Sequence, residues 1–143
     1  PGRMETAIIG HKKIIMDGAH NQQKMQSFVK SFAKKYPNTK VPILISLKTG
    51  KEFMAVLPIL KPIAKTLIIT EFTSSQDLPS VALDANKLAS AAKQVGFEEV
   101  LVEKESLKAF DILLNVTTSS AIITGSFYLL AELRKNHIEL SHV

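Results

Sequence analysis

Short apolar runs alternate along this chain with segments whose apolar residues recur at the spacing of a helix face, and that alternation restricts the fold more than any other feature. Ile43, Leu44, Ile45 and Leu47 form one continuous run, as expected of a strand buried on both faces. Before it, Met25, Phe28, Val29, Phe32 and Tyr36 share one helical face, with Asn21 placed to cap the first turn and Pro37-Asn38 to stop the last. The pairing recurs downstream. Strands from Thr66 to Thr70, Glu99 to Val102 and Ala121 to Thr124 are followed by helices from about Asp84 to Val95, closed by Gly96, from Ser106 to Leu114, and from Phe127 to about His137. Thr49 and Glu52 have the spacing of a capping box, opening a helix that carries Phe53, Val56 and Leu57 and that Pro58 is expected to kink or end. Ahead of these units, Ala7-Ile8-Ile9 and Ile14-Ile15-Met16 flank Gly10-His11-Lys12-Lys13, which reads as a hairpin whose second strand ends at Asp17-Gly18.

Strands joined through helices imply right-handed crossovers, so the predicted class is α/β in three layers. It has a mostly parallel sheet of about six strands, an N-terminal hairpin and helices on both faces. The segment from Phe72 to Ser80 is the longest loop and the one expected to be most mobile.

The 143 residues suffice for one domain with a single core. No cysteine is present, so no disulfide holds it. The apolar stretches fall well short of the roughly 20 residues that span a bilayer, so no membrane partner is expected. The chain starts at Pro1 without a basic, apolar leader, which suggests a piece of a longer cytoplasmic enzyme. Its 18 lysines and arginines exceed 13 acids, but arginine occurs only as Arg3 and Arg134 and the lysines are scattered. With no tryptophan, and with phenylalanines that mostly read as helix-face residues, a solvated lysine surface is expected rather than a nucleic-acid site.

In an open parallel sheet ligands gather at the carboxyl ends of the strands, where helix N-termini present unpaired N–H groups. Three junctions there carry unusual residues. In Asp17-Gly18-Ala19-His20-Asn21, Asp17 offers an acceptor for hydroxyls and His20 a group that can donate or accept; equally, Asp17 can tie the turn together while Asn21 caps the helix. In Lys48-Thr49-Gly50-Lys51-Glu52 two lysines flank a glycine, which suits a carboxylate or phosphate although the spacing is not that of a Walker loop; a solvated pair fits as well. In Thr124-Gly125-Ser126-Phe127 a hydroxyl beside free N–H groups could bind a carboxylate, or Ser126 could serve only as an N-cap. Parallel packing would bring Asp17, His20, Lys51 and Ser126 to one rim.

Pro1-Gly2-Arg3-Met4-Glu5, followed by Met16-Asp17-Gly18-Ala19-His20-Asn21 and later by Ile122-Ile123-Thr124-Gly125-Ser126-Phe127-Tyr128-Leu129, resembles the C-terminal domain of folylpolyglutamate synthase/dihydrofolate synthase, in the Mur ligase superfamily. The resemblance covers essentially the whole chain. It implies that residues 1–143 form one Rossmann-like, glutamate-ligase domain that works with an N-terminal ATPase domain carrying the P-loop, the Mg2+ ligands and most of the folate site. ATP would phosphorylate a carboxylate of dihydropteroate or folate, and the amine of L-glutamate would displace phosphate to form an amide. Carried over by position, Arg3 would touch ATP phosphates and Asp17 the ribose or nearby groups, while His20 and Ser126 would position glutamate and Lys51 would pair with one of its carboxylates. No catalytic residue and no metal ligand is expected within this chain.

The sequence departs from the family pattern where Asp-Lys-Asp is usual near the second junction, where an arginine commonly follows a proline near Ser80, and where Gln22 replaces the common proline after Asp-Gly-Ala-His-Asn. The competing reading is an independent α/β module, small-molecule-binding or regulatory and resembling a receiver. That would want paired acids at the first strand end, where Asp17 stands alone.

Overall fold

The computed structural model describes residues 3–50, 53–73 and 81–136. Its elements run in the order β1 (Glu5–Ile9), β2 (Lys12–Asp17), α1 (Gln22–Lys35), β3 (Val41–Ile45), α2 (Phe53–Leu60), β4 (Ala64–Glu71), α3 (Ala85–Val95), β5 (Val100–Glu105), α4 (Ser106–Val116), β6 (Ser120–Thr124) and α5 (Phe127–Asn136). The six strands form one sheet in the order β1-β2-β6-β3-β4-β5. Only β1 and β2 pair antiparallel; the other neighbours are parallel. The expected class, hairpin and layering are all present.

Chain direction explains which helix covers which face. From β2 to β3, β4 and β5 the chain steps one way across the sheet, and right-handed connections put α1, α2 and α3 on a single face. There Met25, Phe28 and Phe32 of α1, Val56, Leu57 and Leu60 of α2, and Leu88 and Ala92 of α3 pack on Ile15, Ile43, Ile45, Leu67, Ile69 and Ile122. After β5 the chain turns back to insert β6 between β2 and β3, so α4 and α5 lie on the other face. Ala109, Phe110 and Leu113 with Leu129, Leu130 and Leu133 cover Ile14, Met16, Leu44, Ile68 and Ile123 there.

The helix ends obey local chemistry. The Asn21 side chain accepts from the Lys24 amide at 2.8 Å, and Asp84 accepts from the Asn86 and Lys87 amides at 2.8 and 3.2 Å. Gly96, at φ 105°, closes α3 in the left-handed conformation. Two expectations change in detail. Helix α2 continues two residues past Pro58 and then tightens into a 3-10 turn over Lys61–Ile63 that contains Pro62. Strand β5 extends through Glu103-Lys104-Glu105 and passes into α4 without a loop, because a strand at the sheet edge does not need apolar residues on both faces. Glu52 of the expected capping box, and most of the expected mobile loop, lie outside the described residues.

Phe110 is 2% exposed and holds α4 to the sheet. Replacing it with alanine should lower the unfolding free energy by about 3–5 kcal/mol, read as a reduced urea midpoint. A loss below about 1 kcal/mol would mean that α4 is not docked there.

Candidate functional site

Strands β2, β6 and β3 end level with one another, Asp17 opposite Thr124 and Thr124 opposite Ile45. From these ends the chain departs to opposite faces, into α1 on one side and α5 on the other. That is the topological switch at which open α/β sheets form a crevice. The three strand ends meet closely. Gly125, at φ 99°, has no room for a side chain, because a Cβ there would collide with the Ser46 carbonyl oxygen. A Cβ on Gly18 would overlap the Phe127 ring.

Two clefts open side by side at this edge. The first, of about 240 Å³, is lined by Arg3, Met4, Asp17 and Ala19 together with Lys24, Ser27, Phe28 and Ser31 of α1, and by Phe127. The second, of about 500 Å³, lies between His20-Asn21, Lys48-Thr49-Gly50 and Gly125-Ser126-Phe127-Tyr128. Arg3 and Asp17 thus share one cleft, and His20 and Ser126 share the other. Lys51 lies outside the described residues.

Asp17 is 8% exposed, and both its oxygens are engaged: Oδ2 accepts from the Met4 amide at 3.0 Å and Oδ1 from the Ala19 amide at 2.9 Å. Burial pushes its carboxyl above the ordinary value of 3.8, against the opposing pull of the Ala19 and Met4 amides and the charges of Arg3 and Lys24. Its first role here is to tie the turn and to hold Met4, which has a left-handed φ of 41°. His20 contacts the Gly18 carbonyl through Nδ1 at 3.0 Å. A carbonyl only accepts, so Nδ1 carries a proton, and the tautomer that this selects has Nε2 as its acceptor. Ser126 is an N-cap, its Oγ accepting from the Tyr128 and Leu129 amides at 3.0 and 3.3 Å.

One residue of this site, Phe127, escaped the sequence reading, and Lys48 entered it only as half of the lysine pair at the second junction. Lys48, one of the two lysines flanking Gly50, lines the second cleft; an isolated bridge to Ala82 and the bond from the Thr49 amide to the Val81 carbonyl at 2.8 Å hold its segment. Phe127, which reads as one more helix-face residue, is instead 43% exposed and faces both clefts. Lys48 was signalled by the lysine pair beside Gly50, whereas the only signal for Phe127 is its place directly after Ser126. Among the described residues no cluster of three His, Asp or Glu side chains is placed to hold a metal ion, and no helix is long and apolar enough to cross a membrane.

Comparison with known proteins places this architecture. Residues 4–136 match the family model of the dihydrofolate synthetase C-terminal domain. The chain is 28% identical over 130 residues to the dihydrofolate synthetase of Saccharomyces cerevisiae, covering 87% of this chain and 30% of that protein. To the dihydrofolate synthase/folylpolyglutamate synthase of Bacillus subtilis it is 24% identical over 140 residues, covering 94% of this chain and again 30% of the relative. The chain therefore spans under a third of the length of these curated relatives. Its fold superimposes on the folylpolyglutamate synthase of Mycobacterium tuberculosis, solved in complex with ADP and AMPPCP, with a TM-score of 0.78, covering 99% of this chain and 33% of that one at 23% identity.

The raised Asp17 carboxyl has a measurable consequence. Because the folded state keeps that proton to higher pH than the unfolded state, the stabilisation from protonated Asp17 is complete below 3.8 and is lost as pH rises through the higher folded value. Asp17→Asn removes this dependence, so the stability of the variant relative to the native protein should improve from acidic pH toward neutrality. Parallel pH profiles in urea unfolding would show that the carboxyl is not desolvated.

Proposed function

The chain belongs to the dihydrofolate synthetase C-terminal domain family, and from that premise we propose that it is the C-terminal domain of a larger cytoplasmic ligase. In this reading the enzyme uses ATP and Mg2+ to join L-glutamate to a carboxylate of dihydropteroate or a folate through an acyl phosphate. The observation that carries the proposal is the pair of adjoining clefts at the switch point, one beside Arg3 and Lys24, the other beside His20, Ser126 and Lys48. A reaction that transfers an acyl group from phosphate to an amine needs two sites of this kind in contact.

The first cleft would take the nucleotide. The Arg3 guanidinium and Lys24 ammonium supply cations for phosphate oxygens, and the hydroxyls of Ser27 and Ser31 supply donors. Asp17 keeps lone pairs beyond the two given to Met4 and Ala19, and these would serve a ribose hydroxyl. The N-terminal ATPase domain would contribute the phosphate loop and the metal ligands.

The second cleft would hold glutamate. Lys48 suits a carboxylate, and the hydroxyl of Ser126 at a helix start adds a polar contact. His20, with its Nδ1 proton committed to Gly18, presents Nε2 as an acceptor for the amine, which is the group that attacks. As that nitrogen bonds to the acyl carbon, the carbon–oxygen bond to phosphate breaks and the amine loses a proton. Lys51 is assigned to a glutamate carboxylate by the resemblance alone.

The test is ATP-dependent incorporation of labelled glutamate by the polypeptide extended through its upstream region, with dihydropteroate and with tetrahydrofolate as acceptors. Amide formation by the extended protein and none by residues 1–143 alone is the expected result. Turnover by the short chain would overturn the two-domain reading, and no product with either acceptor would overturn the ligase. In the extended protein, Arg3→Ala should raise KM for ATP and His20→Ala KM for glutamate, each by about tenfold or more, the loss of one charged or well-placed hydrogen bond. Unchanged constants in both variants would refute these residue roles.

A further inference from the structure

Among the described residues Phe127 alone lines both clefts. It stands at the first position of α5, where the Ser126 cap fixes the backbone beneath it. The His20 ring meets its edge, with centroids 5.8 Å apart and planes at 66°. From below, the backbone of Gly18 approaches so closely that a β-carbon would overlap the ring. A phenyl group left 43% exposed between two clefts does little for the core, which is closed on that face by Leu129, Leu130 and Leu133. Its surroundings do restrict where it can go: glycine allows it to sit low, and the imidazole supports one side.

We propose that Phe127 is the common wall of the two clefts and a positioning residue that makes occupancy of one depend on the other. The inference rests on the reading of the first cleft as a nucleotide site and of the second as a glutamate site. The ring presents one surface to each ligand, so each bound molecule fixes the wall against which the other must fit. Gly18 belongs to the same device, because any side chain there would lift the ring into the clefts. This also gives the glycine of the Asp17-Gly18-Ala19-His20-Asn21 segment a steric purpose beyond the turn itself.

The experiment uses the extended polypeptide, with KM values for ATP and glutamate from amide formation and equilibrium dissociation constants for ADP and for L-glutamate measured separately. Phe127→Ala should weaken both ligands by about tenfold, as loss of a shared aromatic contact does, and Phe127→Leu, which refills much of the volume, should recover most of the loss. Gly18→Ala should weaken both ligands in the native background and add nothing in the Phe127→Ala background. Melting temperatures of every variant separate these effects from loss of fold, which would lower the active fraction without moving the constants. A change confined to one ligand, no change for either, or a Gly18→Ala effect undiminished when the ring is gone would each overturn the proposal. A native protein that binds both ligands but makes no amide would instead count against the ligase reading and leave the shared wall standing if Phe127→Ala weakens both.

Discussion

Everything at the carboxyl edge depends on how closely three strand ends approach one another. Strands β2, β6 and β3 stop in register, and the turn after β6 fits against the end of β3 only because Gly125 lacks a side chain and takes a positive φ. That approach fixes where α5 starts. The departure of α1 and α5 to opposite faces then leaves the crevice in which both clefts lie. The core follows the same arrangement: β3, buried along its whole length, and β6, buried from Ala121 onward, lie between two helical layers.

The electrostatics of the two clefts differ in kind. In the first, a buried carboxylate is held by two backbone amides, and the charges of Arg3 and Lys24 lie near enough to favour its ionised form. In the second, Lys48 is exposed and the polar atoms of His20 and Ser126 are partly committed to local hydrogen bonds. Those bonds set the tautomer of the imidazole and the direction of the hydroxyl before any ligand arrives, which is the usual form of preorganisation on loops held by a rigid sheet.

Much of this was readable from the residues. Met25, Phe28 and Phe32 announced α1 because a buried helical stripe must repeat at that spacing, and the apolar run of Ile43, Leu44, Ile45 and Leu47 announced the doubly covered strand that the structure sets at Val41–Ile45. The far half of β5 was hidden, since Glu103, Lys104 and Glu105 satisfy an edge strand without leaving an apolar trace. Asp17, His20 and Ser126 were recognisable as residues at strand-to-helix junctions, and the structure does bring them to one edge. Their division into two clefts, and the ring between them, depend on side-chain directions set by tertiary packing, which no local pattern encodes. The same holds for Asp17, whose bond to the Met4 amide spans thirteen positions.

That bond reaches beyond the site. Met4 is held in a left-handed conformation by an amide given to Asp17, and the next residue, Glu5, is anchored to Arg134 of α5 by an ion pair at 2.8 Å. The backbone arriving at Arg3 is therefore leashed at two successive residues, and its heading is imposed by the sheet rather than by the length of whatever precedes it. A transplant of this fold that began at Glu5 would lose its bearing, whereas one that kept Arg3 and Met4 would carry its own compass.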